Sequence, residues 1–448
     1  MNITVIGAGY VGLVTAISLA ETKNNVTCID IDMNKIEALQ QGRTPIYEVG
    51  LEKLLKKNLK EGRITFKNTI ELGVNDAEII YLAVGTPQSE DGSANMNYMY
   101  EAVDIVAKSI LKDTIFVVKS TVPIGENSKL EIRANALSPY QVTVVSNPEF
   151  LREGTAIQDV FNGERIILGA NNKEALDKLV KVNEKFETPI VKTTLESAEM
   201  IKYASNAFLA MKISYINEIA NLSEMVGANI SEVSLGMGLD KRIGHRFLQA
   251  GVGYGGSCFP KDTHALLNIS EKAGYDFRLI KEVIHVNRMQ RERIIIKLLK
   301  YLPSLVGKKI AVLGVTFKPD TDDIRDAPSL DIIGALEGLG AEIAVYDPIF
   351  SKKMGHIPNI ASMFNNVTEY TSINDALLGA DAALVITDWE EIKNIQPNQF
   401  LEKMLTPIII DGRQCYNAQE MDANGIIFDA VGLGGVTIKD DNKVKVLS

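Results

Sequence analysis

The opening stretch of the chain confines the fold more than any other. MNITVIGAGYVGLVTAISLAE reads as a short apolar strand, a turn carrying Gly7, Gly9 and Gly12, and an amphipathic helix, and the strand NVTCIDID follows it. Glycines at this spacing allow a sharp turn, a close approach of backbone to a pyrophosphate and tight packing of helix on strand. Tyr10 and Val11 belong to the same turn, at the helix N-terminus where N–H groups face an anion. Asp30, which closes the second strand, lies about twenty residues past the turn, where a carboxylate accepts hydrogen bonds from an adenosine ribose. Strand, glycines, helix, strand and acid in that order indicate dinucleotide binding, against a glycine turn that merely closes a βα unit. A carboxylate at Asp30 repels a 2′-phosphate and so favours NAD over NADP. Lys35, a cation a few residues on, is the opposing signal.

Further βα signals follow: ITFKNT, then the strands AEIIYLAVGTP, TIFVVKSTVP and VTVVSNPEF, the last three ending in Gly, Pro or hydroxyl residues. In a parallel sheet the carboxyl ends of strands line one crevice, where ligands bind. Thr86, Pro87, Ser120, Thr121, Asn147 and Glu149 are therefore expected around a cofactor or substrate. Ordinary turn chemistry is the competing reading, and it weighs equally for Pro87 and Pro123. Glu149 and Glu153, in NPEFLREG, are the better candidates for proton chemistry at a crevice mouth.

With 448 residues the chain has length for roughly two to four domains. Its net charge of −10, with no run of basic residues, speaks against a nucleic-acid or anionic-membrane partner. Three scattered cysteines form neither a disulfide framework nor a CxxC pair. The chain starts directly on a strand and has no apolar run of membrane-spanning length, so a reducing, cytoplasmic setting is expected.

The middle of the chain carries an unusual thiol. Cys258 stands in GVGYGGSCFPKDTHALL, where Pro260 marks the start of a helix. The peptide dipole and open N–H groups there stabilise a thiolate, and Lys261 adds positive charge. A small cysteine packed against glycines is the alternative. Upstream, 197–226 is one long apolar-periodic stretch without proline, a helix of roughly 45 Å suited to a connector or dimer spine. On it Lys202 and Asn206 lie one turn apart, so both side chains can reach one point, although a lone lysine on a helix is commonly a solvated surface charge. From about Lys308 a second βα series opens, with Lys318 and Arg325 flanking its first turn and Arg413 after its last strand. That arrangement suits a nucleotide diphosphate held by side-chain charge, while Asp320, Asp322, Asp323 and Asp326 suggest that part of it is structural pairing.

The expected fold class is α/β: two Rossmann-like doubly wound domains, 1–196 for NAD and 301–448 for a nucleotide diphosphate, joined by a helical middle at 197–300 that suits a connector or dimer spine, with a polar tail near 436–448.

The motifs GAGYVGL, GRTPIYEVGL, VGTP, KSTVP, NPEFLREGTAI, KYASNAFLA, RIGHRFLQAGVGYGGSCFPKD, GVTFKPDTDDIRDAP and IDGR resemble, in order and over nearly the whole chain, those of UDP-glucose 6-dehydrogenases in the UDP-glucose/GDP-mannose dehydrogenase family. The resemblance implies oxidation of the C6 alcohol of UDP-glucose to UDP-glucuronate with two NAD+, through a thiohemiacetal and a thioester on Cys258. It implies that Asp262 and Thr121 hold a water that serves as base, and that Lys202 and Asn206 stabilise the C6 oxyanion. Glu149, assisted by Glu153, would activate the hydrolytic water. Around the cofactor it adds Thr86, Pro87, Ser120, Thr121 and Glu153 to the glycine turn. For the UDP-sugar it implies contacts from Phe150, Leu151, Tyr254, Gly255 and Lys261, and from Phe317, Lys318 and Arg413. It also implies a homodimer in which Arg242 completes the neighbouring sugar site, against a plain surface charge beside Lys241. No histidine is assigned a catalytic role and no metal is expected.

A dehydrogenase of an N-acetylated UDP-hexosamine shares fold and chemistry, but those relatives typically carry histidine where this chain has Ser257. A catalytically silent nucleotide-binding regulator need not retain Cys258, Lys202, Asn206, Asp262 and Glu149 together. A hydroxy-acid or 6-phosphogluconate-type dehydrogenase leaves the cysteine loop and the second nucleotide domain unexplained.

Overall fold

The computed structural model describes residues 1–352 and 359–434, so the tail expected near 436–448 lies outside the described residues. The chain divides into two compact units, Met1–Ser205 with His264–Tyr275, and Asn206–Thr263 with Asp276–Ser448.

In the first unit the apolar runs form an eight-stranded sheet: β1 (Asn2–Ile6), β2 (Asn25–Ile29), β3 (Ile64–Lys67), β4 (Ile79–Leu82), β5 (Thr114–Val118), β6 (Val142–Ser146), β7 (Ile166–Gly169) and β8 (Ile190–Thr193). Their order is β3-β2-β1-β4-β5-β6-β7-β8, parallel except where β6 meets β7. The direction of winding reverses between β1 and β4, so the crevice at their carboxyl ends is the place for a ligand. Ile3 to Ile6 and Ile79 to Leu82 are buried throughout, as continuous apolar strands covered on both faces require. β1 pairs with β2 from Asn2–Asn25 to Ile6–Ile29, so both strands finish together and bring Gly7 beside Asp30. Helix α1 (Tyr10–Glu21) then packs its buried face into the core formed by Val5, Leu13, Ile17 and Cys28.

The second unit contains a fully parallel six-stranded sheet of β9 (Lys309–Leu313), β10 (Glu342–Tyr346), β11 (Val367–Tyr370), β12 (Ala382–Val385), β13 (Ile408–Asp411) and β14 (Ile427–Ala430). Its order, β11-β10-β9-β12-β13-β14, repeats the doubly wound pattern. The stretch expected to be one long helix is one: α2 (Leu195–Val226) has 32 residues, roughly 48 Å. Helix α3 (Phe259–Lys272) starts one residue before Pro260, and α4 (Arg278–Tyr301) follows. Among the described residues no helix is long and apolar enough to cross a membrane.

Candidate functional site

The glycine turn of the first unit is built for close approach. Gly7 has φ of +100°, and a Cβ there would stand 2.6 Å from the Ala83 carbonyl oxygen. At Gly12 a Cβ would meet the Gly7 carbonyl oxygen at 1.9 Å, so α1 can lie this near the turn only with glycine. Around Gly9 nothing stands within 4 Å of the same position, which leaves room for a diphosphate at the helix N-terminus. Asp30 accepts hydrogen bonds from the N–H groups of Ala8 (2.7 Å) and Asp32 (3.0 Å) and keeps part of its surface open. The residues present thus fit NAD. Lys35 is half-buried, and its backbone N–H is tied to Asp32 at 3.3 Å.

The second unit repeats the device with a different end. Gly314 N–H donates to the Tyr346 carbonyl at 2.7 Å, as Gly7 N–H does to Ile29, and Val315 N–H donates to Asp347 at 2.8 Å. Asp347, however, is fully buried and also accepts from the Thr316 hydroxyl (3.1 Å) and the Trp389 indole (3.1 Å). It has no surface to offer a ribose. The two turns therefore look alike but present different faces to a ligand.

Between α1 and the NPEFLREG loop lies a carboxylate the motif reading left without a role. Buried Glu48 accepts the Tyr10 hydroxyl, Gly154 N–H at 2.9 Å and Ile157 N–H at 3.4 Å. It fastens the half-buried Glu153 and its neighbours to the start of α1. Thr86 is buried and donates to the Thr121 carbonyl at 2.9 Å, and Ser120 donates to the Val84 carbonyl at 2.6 Å, so these hydroxyls join the ends of β4 and β5. Thr121 itself is half-exposed. Exposed Pro87 accepts from Asn95 N–H at 2.8 Å, as a turn residue does.

Deeper in the same crevice two ammonium groups act on one carboxylate. Lys202, buried on α2, donates to the carbonyl (2.7 Å) and the carboxylate (2.8 Å) of Glu149. The other Glu149 oxygen accepts Leu151 N–H at 2.6 Å. Burial pushes Glu149 up, but the charge and hydrogen bond of Lys202, the Leu151 N–H and the charge of Lys119 outweigh it and hold the carboxyl below its ordinary value. Lys119, the first residue past β5, donates to Asn147 at 3.2 Å, and Asn147 in turn donates to the Ile167 carbonyl at 2.9 Å. Burial, joined by the Lys202 charge and opposed by Glu149, brings Lys119 down to about 8. Phe150 lies beneath Lys202 (5.3 Å from the ring centre) and Arg165 (4.0 Å). Sequence reasoning named Glu149, Phe150, Leu151 and Lys202, but missed Lys119.

In the second unit Cys258 immediately precedes α3, and its carbonyl accepts Asp262 N–H at 2.9 Å. Its half-buried sulfur lies 3.7 Å from the Ser257 hydroxyl. Asp262 is buried, accepting Asn206 Nδ2 at 2.6 Å and the Lys261 ammonium at 2.5 Å. Asn206 and Lys202, one turn apart, thus take separate carboxylate partners.

The glycine loop before the cysteine is pinned by α4. Asn287 accepts Tyr254 N–H at 2.8 Å and donates to the Tyr254 carbonyl at 3.0 Å, while Gln290 donates to the Gly251 carbonyl at 2.8 Å. At Gly256, with φ of +81°, a Cβ would stand 2.8 Å from the Phe317 ring, and at Gly255 it would meet the Asp326 carbonyl oxygen at 2.3 Å. Lys318 lies 5.7 Å from the Phe317 ring centre, and Arg413 donates to the carbonyls of Ile386 (2.7 Å) and Phe317 (3.4 Å). The structure thereby gathers Tyr254, Gly255, Phe317, Lys318 and Arg413 around one loop. Arg325 pairs with Asp323 at 2.7 Å, which is the structural pairing the acidic neighbours suggested. Arg242 is exposed and pairs with Asp240 at 2.6 Å.

Comparison with known proteins matches three models of the UDP-glucose/GDP-mannose dehydrogenase family: its NAD binding domain at residues 1–187, its central domain at 196–289 and its UDP binding domain at 311–418. A UDP-glucose 6-dehydrogenase of Bacillus subtilis is 48% identical over 96% of this chain and 98% of its own length. Among solved structures, a UDP-glucose dehydrogenase of Pyrobaculum islandicum superposes with a TM-score of 0.89 at 34% identity, over 96% of this chain and 97% of that one. A UDP-D-ManNAc dehydrogenase of Pyrococcus horikoshii gives 0.86 at 27% identity, covering 96% and 99%.

Proposed function

Since the chain belongs to the UDP-glucose/GDP-mannose dehydrogenase family, we propose that it is a UDP-glucose 6-dehydrogenase, oxidising the C6 alcohol to a carboxylate in two steps. The observation that carries this reading is Cys258 at the N-terminus of α3, with Asp262 bonded to Asn206 and Lys261 behind it. A thiol is not needed to make an aldehyde; added to one, it retains it on the protein as a tetrahedral carbon that still bears hydrogen and can lose a second hydride. Bound NAD+, two per turnover, would accept the two hydrides.

In the first step the C6 hydroxyl gives its proton to a water held by Asp262 and Thr121 as a hydride leaves the C6 carbon, forming the aldehyde. The Cys258 thiolate adds to that carbonyl, and the helix N-terminus favours the thiolate. Lys202 and Asn206 stabilise the C6 oxyanion. Loss of the second hydride gives the thioester. Glu149, assisted by Glu153, then takes a proton from water, whose oxygen adds to the carbonyl and expels Cys258 as thiolate. Tyr254, Gly255, Lys261, Phe317, Lys318 and Arg413 hold the nucleotide sugar, with Phe150 and Leu151 beside the reacting carbon. This division of labour assigns 1–196 to NAD, 197–300 to the helical middle and 301–448 to the UDP-sugar, in a cytoplasmic enzyme whose thiol stays reduced. The test is stoichiometric: mixed with NAD+ and a panel of UDP-sugars, the protein should release two NADH for each UDP-glucose consumed. One NADH per sugar would remove the four-electron reaction. Faster turnover of an N-acetylated UDP-hexosamine would favour the activity named for the Pyrococcus relative, against which Ser257 speaks.

Asp30 should set cofactor choice. At about 4 Å two like charges near a protein surface repel by roughly 4 kcal/mol, so NAD+ should be preferred over NADP+ by at least on the order of 100-fold in kcat/KM. Equal values for the two cofactors would remove Asp30 from the ribose and shift attention to Lys35.

The assembly is a homodimer. Phe208, Tyr215 and Leu222, each two helical turns from the next on α2, are exposed, and a second copy is the simplest cover for such a stripe. Exposed Arg242 then reaches the neighbouring sugar site. Inactive Cys258→Ala and Arg242→Ala chains, mixed under subunit exchange, should regain about a quarter of wild-type activity, because about half the dimers are hybrids with one intact site of two. Mixtures that stay inactive despite demonstrated exchange would put Arg242 in its own subunit's site or on the open surface.

A further inference from the structure

The proposed roles make opposed demands on Lys202. To stabilise the C6 oxyanion its ammonium must share its charge with substrate, yet in the structure two of its three donors go to Glu149, at 2.7 Å and 2.8 Å. Charge given to the oxyanion is withdrawn from Glu149, a buried carboxylate. Such a group takes up a proton instead of staying charged, and once protonated it cannot accept one from the hydrolytic water. A second cation in the pocket removes the conflict, and Lys119 is that cation. β5 and β6 end together at the pair Val118–Ser146, so Lys119 lies beside Asn147, to which it donates at 3.2 Å two residues before Glu149, and its charge acts on Glu149 together with that of Lys202.

We propose that Lys119 keeps Glu149 ionised while Lys202 serves the substrate oxygen, and so acts as a positioning residue for thioester hydrolysis. The proposal rests on the reading of Cys258, Glu149 and Lys202 given above. The charged groups acting on Lys119 are Glu149 and Lys202, and Asn147 is its neutral acceptor. At neutral pH the Lys119 ammonium is charged even though burial and Lys202 bring it down to about 8. The step itself balances without any further reactant. Water loses a proton to Glu149, its oxygen bonds to the thioester carbon, the carbon–sulfur bond breaks, and Cys258 departs as thiolate. Lys119 forms and breaks no covalent bond.

Lys119→Met and Lys119→Arg separate charge from packing. Two readouts are taken: the midpoint of the acid limb of kcat, and the fraction of protein carrying a Cys258-bound acyl adduct by intact mass after acid quench. In Lys119→Met the acid limb should move up by about 1–3 pH units, the range by which a neighbouring charge shifts a carboxyl, and the adduct should accumulate while the first NADH forms at a near wild-type rate. Lys119→Arg, permanently charged, should restore both. An unmoved limb without adduct in Lys119→Met overturns the proposal, and so does a Lys119→Arg variant that behaves like Lys119→Met. If Lys119→Met melts early or loses NAD+ binding, Lys119→Gln, which keeps a donor for Asn147 without the charge, carries the same two readings. Glu149→Gln distinguishes the premises: free hydrolysis in that variant removes the underlying role of Glu149, whereas an adduct there with none in Lys119→Met removes Lys119 alone.

Discussion

With serine in place of Cys258, steady-state NADH production should fall by on the order of a thousandfold or more, the scale on which removal of a covalent nucleophile is felt. The residue precedes α3, so the helix N-terminus favours an anion at its side chain, and a thiol can supply one where a hydroxyl at neutral pH cannot. The oxygen is also a poorer leaving group from an acyl adduct. The first hydride transfer needs no nucleophile on the protein. A rapid-mixing trace should therefore show a burst of about one NADH per site and then nearly stop, with product at the aldehyde or a stalled adduct. The fold should survive, because the side chain is only half-buried and the exchange removes little volume. Sustained, wild-type-like formation of UDP-glucuronate by this variant would sink the covalent mechanism.

The parts of this site that were legible in the sequence are those governed by local rules. Gly7, Gly9 and Gly12 recur at a fixed spacing within one βα turn, and Asp30 is placed by the register of two adjacent strands, so spacing alone pointed to them even though the contact that Gly7 avoids, with Ala83, lies far along the chain. Pro260 and the glycines before Cys258 similarly announced a loop followed by a helix. What escaped depends on partners far along the chain. Glu48 acquires its function from Tyr10 and from Gly154, neither of which is near it in sequence. Lys119 reads as the polar end of an apolar strand until the fold sets it beside Asn147, two residues before Glu149. The one available signal was its place at the carboxyl end of a parallel strand, the same argument that selected Ser120 and Thr121. Nor does spacing distinguish Asp30 from Asp347, since both follow a second strand. Trp389 and Thr316 decide the matter by burying the latter. Helix phase correctly put Lys202 and Asn206 on one face of α2, but could not say that each would take a carboxylate of its own.

Lys202→Ala should lower kcat by roughly a hundred- to a thousandfold, the usual cost of removing one donor to a developing oxyanion, while KM for UDP-glucose changes little. Two effects act together. The C6 oxygen loses a cation that matters most when it is charged, and Glu149 loses both the 2.8 Å partner of its carboxylate and the larger share of the charge that holds it ionised against burial. The second effect has its own signature in the free enzyme, where Lys202 is bonded to Glu149: the carboxyl that Lys202 keeps low moves up, and the acid limb of kcat/KM moves up with it. Arginine should not restore the rate. Lys202 is buried, with one ammonium reaching both the Glu149 carbonyl at 2.7 Å and its carboxylate at 2.8 Å, and a planar guanidinium cannot converge on that point in the same space. A variant with unchanged kcat and only a raised KM would make Lys202 a binding residue and leave the oxyanion to Asn206 alone. An unmoved acid limb of kcat/KM alongside a lowered kcat would instead mean that Lys119 suffices to keep Glu149 ionised before substrate binds as well as after, so the two lysines can be ranked by comparing how far each deletion moves the limbs of kcat/KM and kcat.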